Sequence, residues 1–145
     1  MSNTDKLAEF NARWMEQNEI YRKAAKRFGL SESAFWILYF LQESGGTLGQ
    51  REICAAMCLP KQTTNSALKK LENDGFIIMT ESSSRRCKDV SLTEAVHRCA
   101  DITAGRVIAA EHLAMSGLTD EEQEQFIELF SKYNKLLNKR IGDIK

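Results

Sequence analysis

Residues 59–77 read LPKQTTNSALKKLENDGFI. Leu59 precedes Pro60, and a residue before proline is pushed out of helical angles. From Lys61 to Asn73 the apolar positions return at helical spacing: Thr64, Ala67, Leu68 and Leu71 make an inner stripe. Gly75 supplies the stop signal. Gln62, Asn65, Ser66 and Lys69 fall largely opposite Leu68 and Leu71, with Thr63 and Lys70 in the same run. The stretch therefore predicts a helix with one buried side and one side of amides, hydroxyls and ammonium groups.

The period then changes. Phe76 to Thr80 is short, apolar and partly β-branched, which predicts a strand. Lys88 to Leu92 alternates polar and apolar and predicts a second strand. Glu81 to Cys87 is of a length to join them as a hairpin loop, and Arg85, Arg86 and Lys88 place three cations at its tip and return.

Upstream, the pattern is helical. Asp5 to Phe28 puts Leu7, Phe10, Trp14, Ile20, Ala24 and Phe28 roughly on one side, and Gly29 ends the run. Ser31 can cap the next helix, with Leu30 and Phe35 as a hydrophobic staple. That helix is almost wholly apolar from Ala34 to Leu41 and is expected to be the most buried element. A further helix is expected from Gly49 to Cys58, with Ile53, Ala56 and Met57 inward and Glu52 near its positive end. Downstream, one helix from near Thr93 to Ser116-Gly117 is expected, capped by Ser91 or Thr93. A last one opens on a capping box of Thr119 with Glu122.

Composition bounds the class. The chain has 145 residues, with twenty Lys/Arg against twenty Asp/Glu, so any electrostatic footprint has to be local. No apolar run reaches the roughly 18 residues that span a bilayer. The opening MSNTDKLAEFNARW lacks the apolar core of a signal peptide, so a cytoplasmic home is expected and no membrane partner. Four cysteines in that compartment read as reduced thiols. No phosphate-cradling glycine motif, no HExxH and no Ser/Cys-His-Asp set is apparent, so no enzyme activity and no cofactor is expected.

Helix, short turn, helix and hairpin is the order of a winged helix-turn-helix. The second helix of such a pair enters the major groove with its N-terminal residues on base edges. Amides can pair with adenine, hydroxyls with bases or phosphates, and lysines with phosphates. The candidate DNA-binding residues are therefore Gln62, Thr63, Asn65, Ser66, Lys69 and Lys70 on the helix, and Arg85, Arg86 and Lys88 on the hairpin, where arginine suits a backbone or minor groove. A solvated polar face explains the helix taken alone. The fold class is mainly α (α+β): a winged unit over residues 31–92 within one domain of residues 1–145, flanked by helices over 1–30 and 93–145.

The run LPKQTTNSALKKLENDGFI followed by SRRCKDVSLTEA resembles the MarR family of bacterial winged-helix transcriptional regulators. Leu71-Glu72-Asn73-Asp74-Gly75 matches the family's leucine-glutamate-x-x-glycine, and Arg86, Lys88, Leu92 and Thr93 match its wing. Ser84 stands where the family carries aspartate, and Val96 where glycine often follows leucine-threonine. The resemblance implies a homodimer, interlocked through the first helix and the last two, on a pseudo-palindromic operator of double-stranded DNA. It implies repression as the commoner mode, relieved by a small aromatic or phenolic effector or by an oxidant. The flanking helices independently carry more apolar surface than so small a core uses, which marks a contact site.

For the signal, Trp14, Phe35, Trp36 and Tyr39 are the aromatic candidates, and Arg13 and Arg22 can pair a ligand carboxylate. Cys87 sits among cations that favour a thiolate, while the family's peroxide sensors keep their cysteine in the first helix, where this chain has none. Cys54 and Cys58, four apart, share a helical face. With His97 and Cys99 they are the sole metal candidates, against packing as small apolar residues. The open alternatives are a winged-helix dimer that binds another protein, and a thiol-based redox sensor or enzyme.

Overall fold

The computed structural model describes residues 1–82, 87–102 and 104–144, the side chains of 99–102 excepted. The described elements run α1 Asn3–Arg27, α2 Glu32–Glu43, β1 Thr47–Gly49, α3 Gln50–Met57, α4 Lys61–Asn73, β2 Ile77–Glu81, β3 Lys88–Leu92, α5 Glu94–Ile102, α6 Ala104–Ser116 and α7 Asp120–Gly142. They fall into two compact units, Met1–Ile108 and Ala109–Lys145.

In the first unit α2 is the central element. Ile37, Leu38 and Leu41 on α2 meet Ile53 of α3, Leu68 and Leu71 of α4, Ile77 of β2, Val90 of β3 and Val96 of α5 in one buried cluster. Ser31 caps α2 by accepting the Ala34 N–H at 3.2 Å. The expected inner stripe of α4 is the observed one: Thr64 and Leu68 are fully buried, Leu71 nearly so, and Ala67 packs at the edge. The stretch 61–73 is helical end to end, as its spacing predicts.

Three strands form one antiparallel sheet in the order β1-β3-β2. β3 is central, pairing Val90 with Leu48 on one side and with Met79 on the other. β1 is not foreseen in the sequence, because three residues, Thr47-Leu48-Gly49, are too few to display a period. It is fixed from elsewhere in the chain: Thr47 Oγ1 meets Ser91 Oγ at 3.0 Å.

Three further expectations change. Ala56 is exposed, and the inward positions of α3 are Ile53, Met57 and, in part, Cys54. An eight-residue helix shows the core only a narrow arc, and Ala56 lies about 100° from its centre. Cys58 is not on the helix with Cys54: it is the C-cap residue, in the left-handed region at φ 51°. The hydroxyl of Thr93 does not cap the helix after the hairpin, though the Thr93 carbonyl accepts the Val96 and His97 N–H groups. The segment expected as one helix from 93 to 117 is described as α5 and α6, residue 103 between them lying outside the described residues.

In the second unit α7 begins as expected, with reciprocal bonds between Thr119 and Glu122. No described residue of α7 is buried.

Candidate nucleic-acid interface

The outer face of α4 follows from its inner one. With Thr64, Leu68 and Leu71 fixed in the core, 3.6-residue periodicity turns Gln62, Ser66 and Lys69 away from it, with Thr63 and Lys70 to one side. All five are exposed, while Asn65, at the edge of the buried stripe, is half-buried. Lys61, Gln62, Asn65, Ser66 and Lys69 line one open depression along the first two turns and a half. The Ser66 hydroxyl donates to the Gln62 carbonyl at 2.9 Å, leaving its lone pairs outward.

The charges of this face are unengaged by partners. Among the described residues no ion pair involves Lys61, Lys69 or Lys70, whereas Arg13 pairs with Glu9 and Glu16, and Arg22 with Glu19 and Glu32. Arg13 and Arg22, expected as possible carboxylate partners, are thus already occupied on an exposed surface. The first turn of α4 contains no acid, and Pro60 at its N-cap gives no side-chain cap. Its leading N–H groups therefore keep the partial positive charge of a helix start.

The far end of α4 is tied to the hairpin by the residues of the leucine-glutamate-x-x-glycine and leucine-threonine motifs. The Glu72 carboxylate accepts the Met79 N–H of β2 at 3.2 Å. Gly75, at φ +79°, lets the Phe76 N–H return to the Leu71 carbonyl at 2.9 Å and closes the helix. The Thr93 hydroxyl, turned from its expected capping role, donates to the Gly75 carbonyl at 2.9 Å, and the Thr93 N–H to the Phe76 carbonyl at 3.1 Å. The end of α4 and the bases of both hairpin arms form one clasp, which ties the helix to β2 and β3.

On the wing, Lys88 is exposed and directly opposite Glu81 in the strand register. Arg85 and Arg86 lie outside the described residues. Cys87 is half-buried and Cys58 exposed; the Cys54 thiol points to Asn65 Oδ1 at 3.7 Å. Among the described residues no group of three His, Cys, Asp or Glu stands together to hold a metal.

The aromatic candidates separate. Phe35 is buried and belongs to the core, whereas Trp14 is 44% exposed on α1. Trp36 and Tyr39 form a half-buried cluster with Tyr21 and Phe40, the Tyr21 and Trp36 ring centres 4.8 Å apart. Sequence reasoning did not find Gln50. Its amide donates to Asn65 Oδ1 at 2.9 Å across α3 and α4, a contact fifteen residues apart that no local pattern announces.

The chain is similar to known proteins. The MarR family model matches residues 28–86. The uncharacterized HTH-type transcriptional regulator YwoH of Bacillus subtilis (strain 168) is 26% identical over 106 residues, 73% of this chain and 77% of its own. The structure of a MarR family regulator from Neisseria meningitidis superposes with a TM-score of 0.82 at 23% identity, covering 100% of both chains. A complex of S. aureus MepR with DNA superposes with a TM-score of 0.66 at 21% identity, covering 94% of this chain and 99% of its own. No helix among the described residues is long and apolar enough to cross a membrane.

Proposed function

We propose, from the match of the MarR family model to residues 28–86 and the likeness to an HTH-type transcriptional regulator, that the chain is a MarR-family regulator and works as a homodimeric repressor on a pseudo-palindromic operator of double-stranded DNA. The observation that carries this is the outer face of α4: Gln62, Ser66 and Lys69, exposed and in no ion pair or acid contact among the described residues, opposite a stripe whose Thr64 and Leu68 are fully buried. In this reading α4 lies in the major groove, with Gln62, Thr63, Asn65 and Ser66 toward base edges and Lys69 and Lys70 toward phosphates. Lys88 and the hairpin cations Arg85 and Arg86 meet the backbone or the minor groove. A neutral chain binds DNA because each subunit offers only this local basic face. Its place of action is then the cytoplasm, where a bacterial chromosome lies.

The dimer is supported by exposed apolar residues in each unit taken alone. Leu7, Trp14 and Ile20 stand out on α1. On α7, Phe126, Leu137 and Ile141 follow each other at helical spacing with the stacked Phe130 ring, and all three are 40% exposed or more. Such stripes are the usual mark of an interface. For the releasing signal, the half-buried rings of Trp36, Tyr39, Phe40 and Tyr21 suit a small aromatic or phenolic effector better than the thiols suit an oxidant.

The test is selection of bound duplexes from a random pool, with heparin as competitor. Enrichment of an inverted repeat is the expected result. Failure to enrich any sequence, together with displacement of all bound DNA from the protein by heparin, would favour a winged-helix module that binds protein instead.

A further inference from the structure

Asn65 is half-buried at the edge between the core stripe and the outer face of α4, and its side chain is held from α3. Two donors converge on its oxygen: Gln50 Nε2 at 2.9 Å and the Cys54 thiol at 3.7 Å. A primary amide is planar, with its oxygen and nitrogen on opposite sides of Cγ. Once Oδ1 is committed toward α3, Nδ2 is directed to the other side, and no hydrogen bond among the described residues takes it up. The same depression is lined by Gln62, Ser66 and Lys69, so the free amide hydrogens belong to the candidate DNA face.

We propose that Gln50 is a positioning residue that fixes Asn65 as a donor only, so that position 65 prefers a base whose major-groove edge carries acceptors and no donor, guanine or thymine, over adenine, which sets its N6 donor beside N7. This rests on the DNA-binding reading above. Adenine is read bidentately, an amide nitrogen giving to N7 while an amide oxygen takes from N6. With its oxygen closed off, Asn65 cannot complete that pair. Guanine offers N7 and O6, two acceptors for two amide hydrogens, and thymine offers O4. Guanine is therefore the first preference and thymine the second. The residue type alone points to adenine; the contact from α3 reverses that.

The structure also supplies the means to invert the amide. Gln50→Glu replaces the donor by a carboxylate, which only accepts. Asn65 then turns its Nδ2 to residue 50 and its Oδ1 to DNA, where it accepts a hydrogen bond from adenine N6 or cytosine N4. The substitution is mild for the fold, since residue 50 opens α3, where a helix start favours an anion.

The experiment is duplex selection followed by competition binding of operator variants for the full-length wild type, Gln50→Glu, Gln50→Ala and Asn65→Ala. Relative affinities among variants cancel any general repulsion by the new carboxylate. The wild type is expected to prefer guanine or thymine at one position of each half-site by about fivefold, the size of one hydrogen bond. Gln50→Glu should move that preference to adenine or cytosine, Gln50→Ala should flatten it, and Asn65→Ala should abolish it. Equal base preferences for wild type and Gln50→Glu, with loss in Asn65→Ala, would overturn the positioning role. Unchanged preferences in Asn65→Ala would overturn base reading by Asn65 altogether, and adenine favoured by the wild type would overturn the fixed orientation. If the wild type selects no sequence, the DNA-binding reading itself falls, a result distinct from all of these.

Discussion

Compare the core beneath α4 with the face of α7. In the first, Leu68, Ile53, Ile37 and Leu41 are wholly buried by side chains of the same chain. In the second, a helix of 23 residues with an apolar stripe buries none. Both patterns have helical period, so periodicity alone does not distinguish them. What differs is exposure: α4 sets its stripe against α2, α3 and two strands, whereas α7 leaves Phe126, Leu137 and Ile141 at 40% exposure or more. An inward stripe packed in the core turns the polar side of its helix outward, which the proposed function uses for DNA. An exposed stripe is what the proposed dimer would cover.

The comparison breaks most visibly at its buried side. Leu68→Ala should lower stability by about 3 kcal/mol, since it removes three carbons from a site that cannot collapse. Urea unfolding followed by circular dichroism reads it, and a loss below about 1 kcal/mol would mean the core is looser than described. Phe126→Asp on α7 should leave the winged unit intact yet weaken self-association by about 2 kcal/mol or more for each buried copy. Sedimentation at several concentrations would register monomers for the variant and dimers for the wild type. Equal sedimentation would take α7 out of the interface.

How much of this was legible in the sequence depends on where the determining contacts lie. α4 and β3 have local patterns, and their bounds are those read from the chain. β1 has no pattern of its own and exists because β3 provides a partner for Leu48. Thr93 looked like a cap because hydroxyls before helices usually are; the Gly75 carbonyl, eighteen residues away, takes it instead. Likewise the outer face of α4 was readable from Leu68 and Leu71, but the contact of Gln50 with Asn65 was not. Local periodicity reports which side of a helix is inside. Side chains meeting across elements report what the other side presents.

Two smaller effects sharpen the contrast. The Thr64 hydroxyl is buried without a hydrogen-bond partner among the described residues. Thr64→Val keeps the shape and should raise stability by about 1 kcal/mol while leaving DNA affinity unchanged. A lower melting temperature would show that the hydroxyl is satisfied in solution. At the exposed start of α1, the Ser2 hydroxyl and N–H hold the Asp5 carboxyl below its usual range. A depressed folded-state value means that the contribution is present above the ordinary carboxylate range. It is lost as pH falls through the depressed value. The first turn of α1 should therefore keep its amide-exchange protection until below the pH at which ordinary aspartates titrate. Loss at or above that pH would contradict the cap.

The central claim is that two copies of this chain place two α4 faces on one duplex, and a footprint with measured stoichiometry tests it most directly. On a selected site, the account predicts two chains per duplex and two protected major-groove segments about one helical turn, roughly 10 base pairs, apart on the same face. One chain per duplex, or a single protected segment, would contradict it.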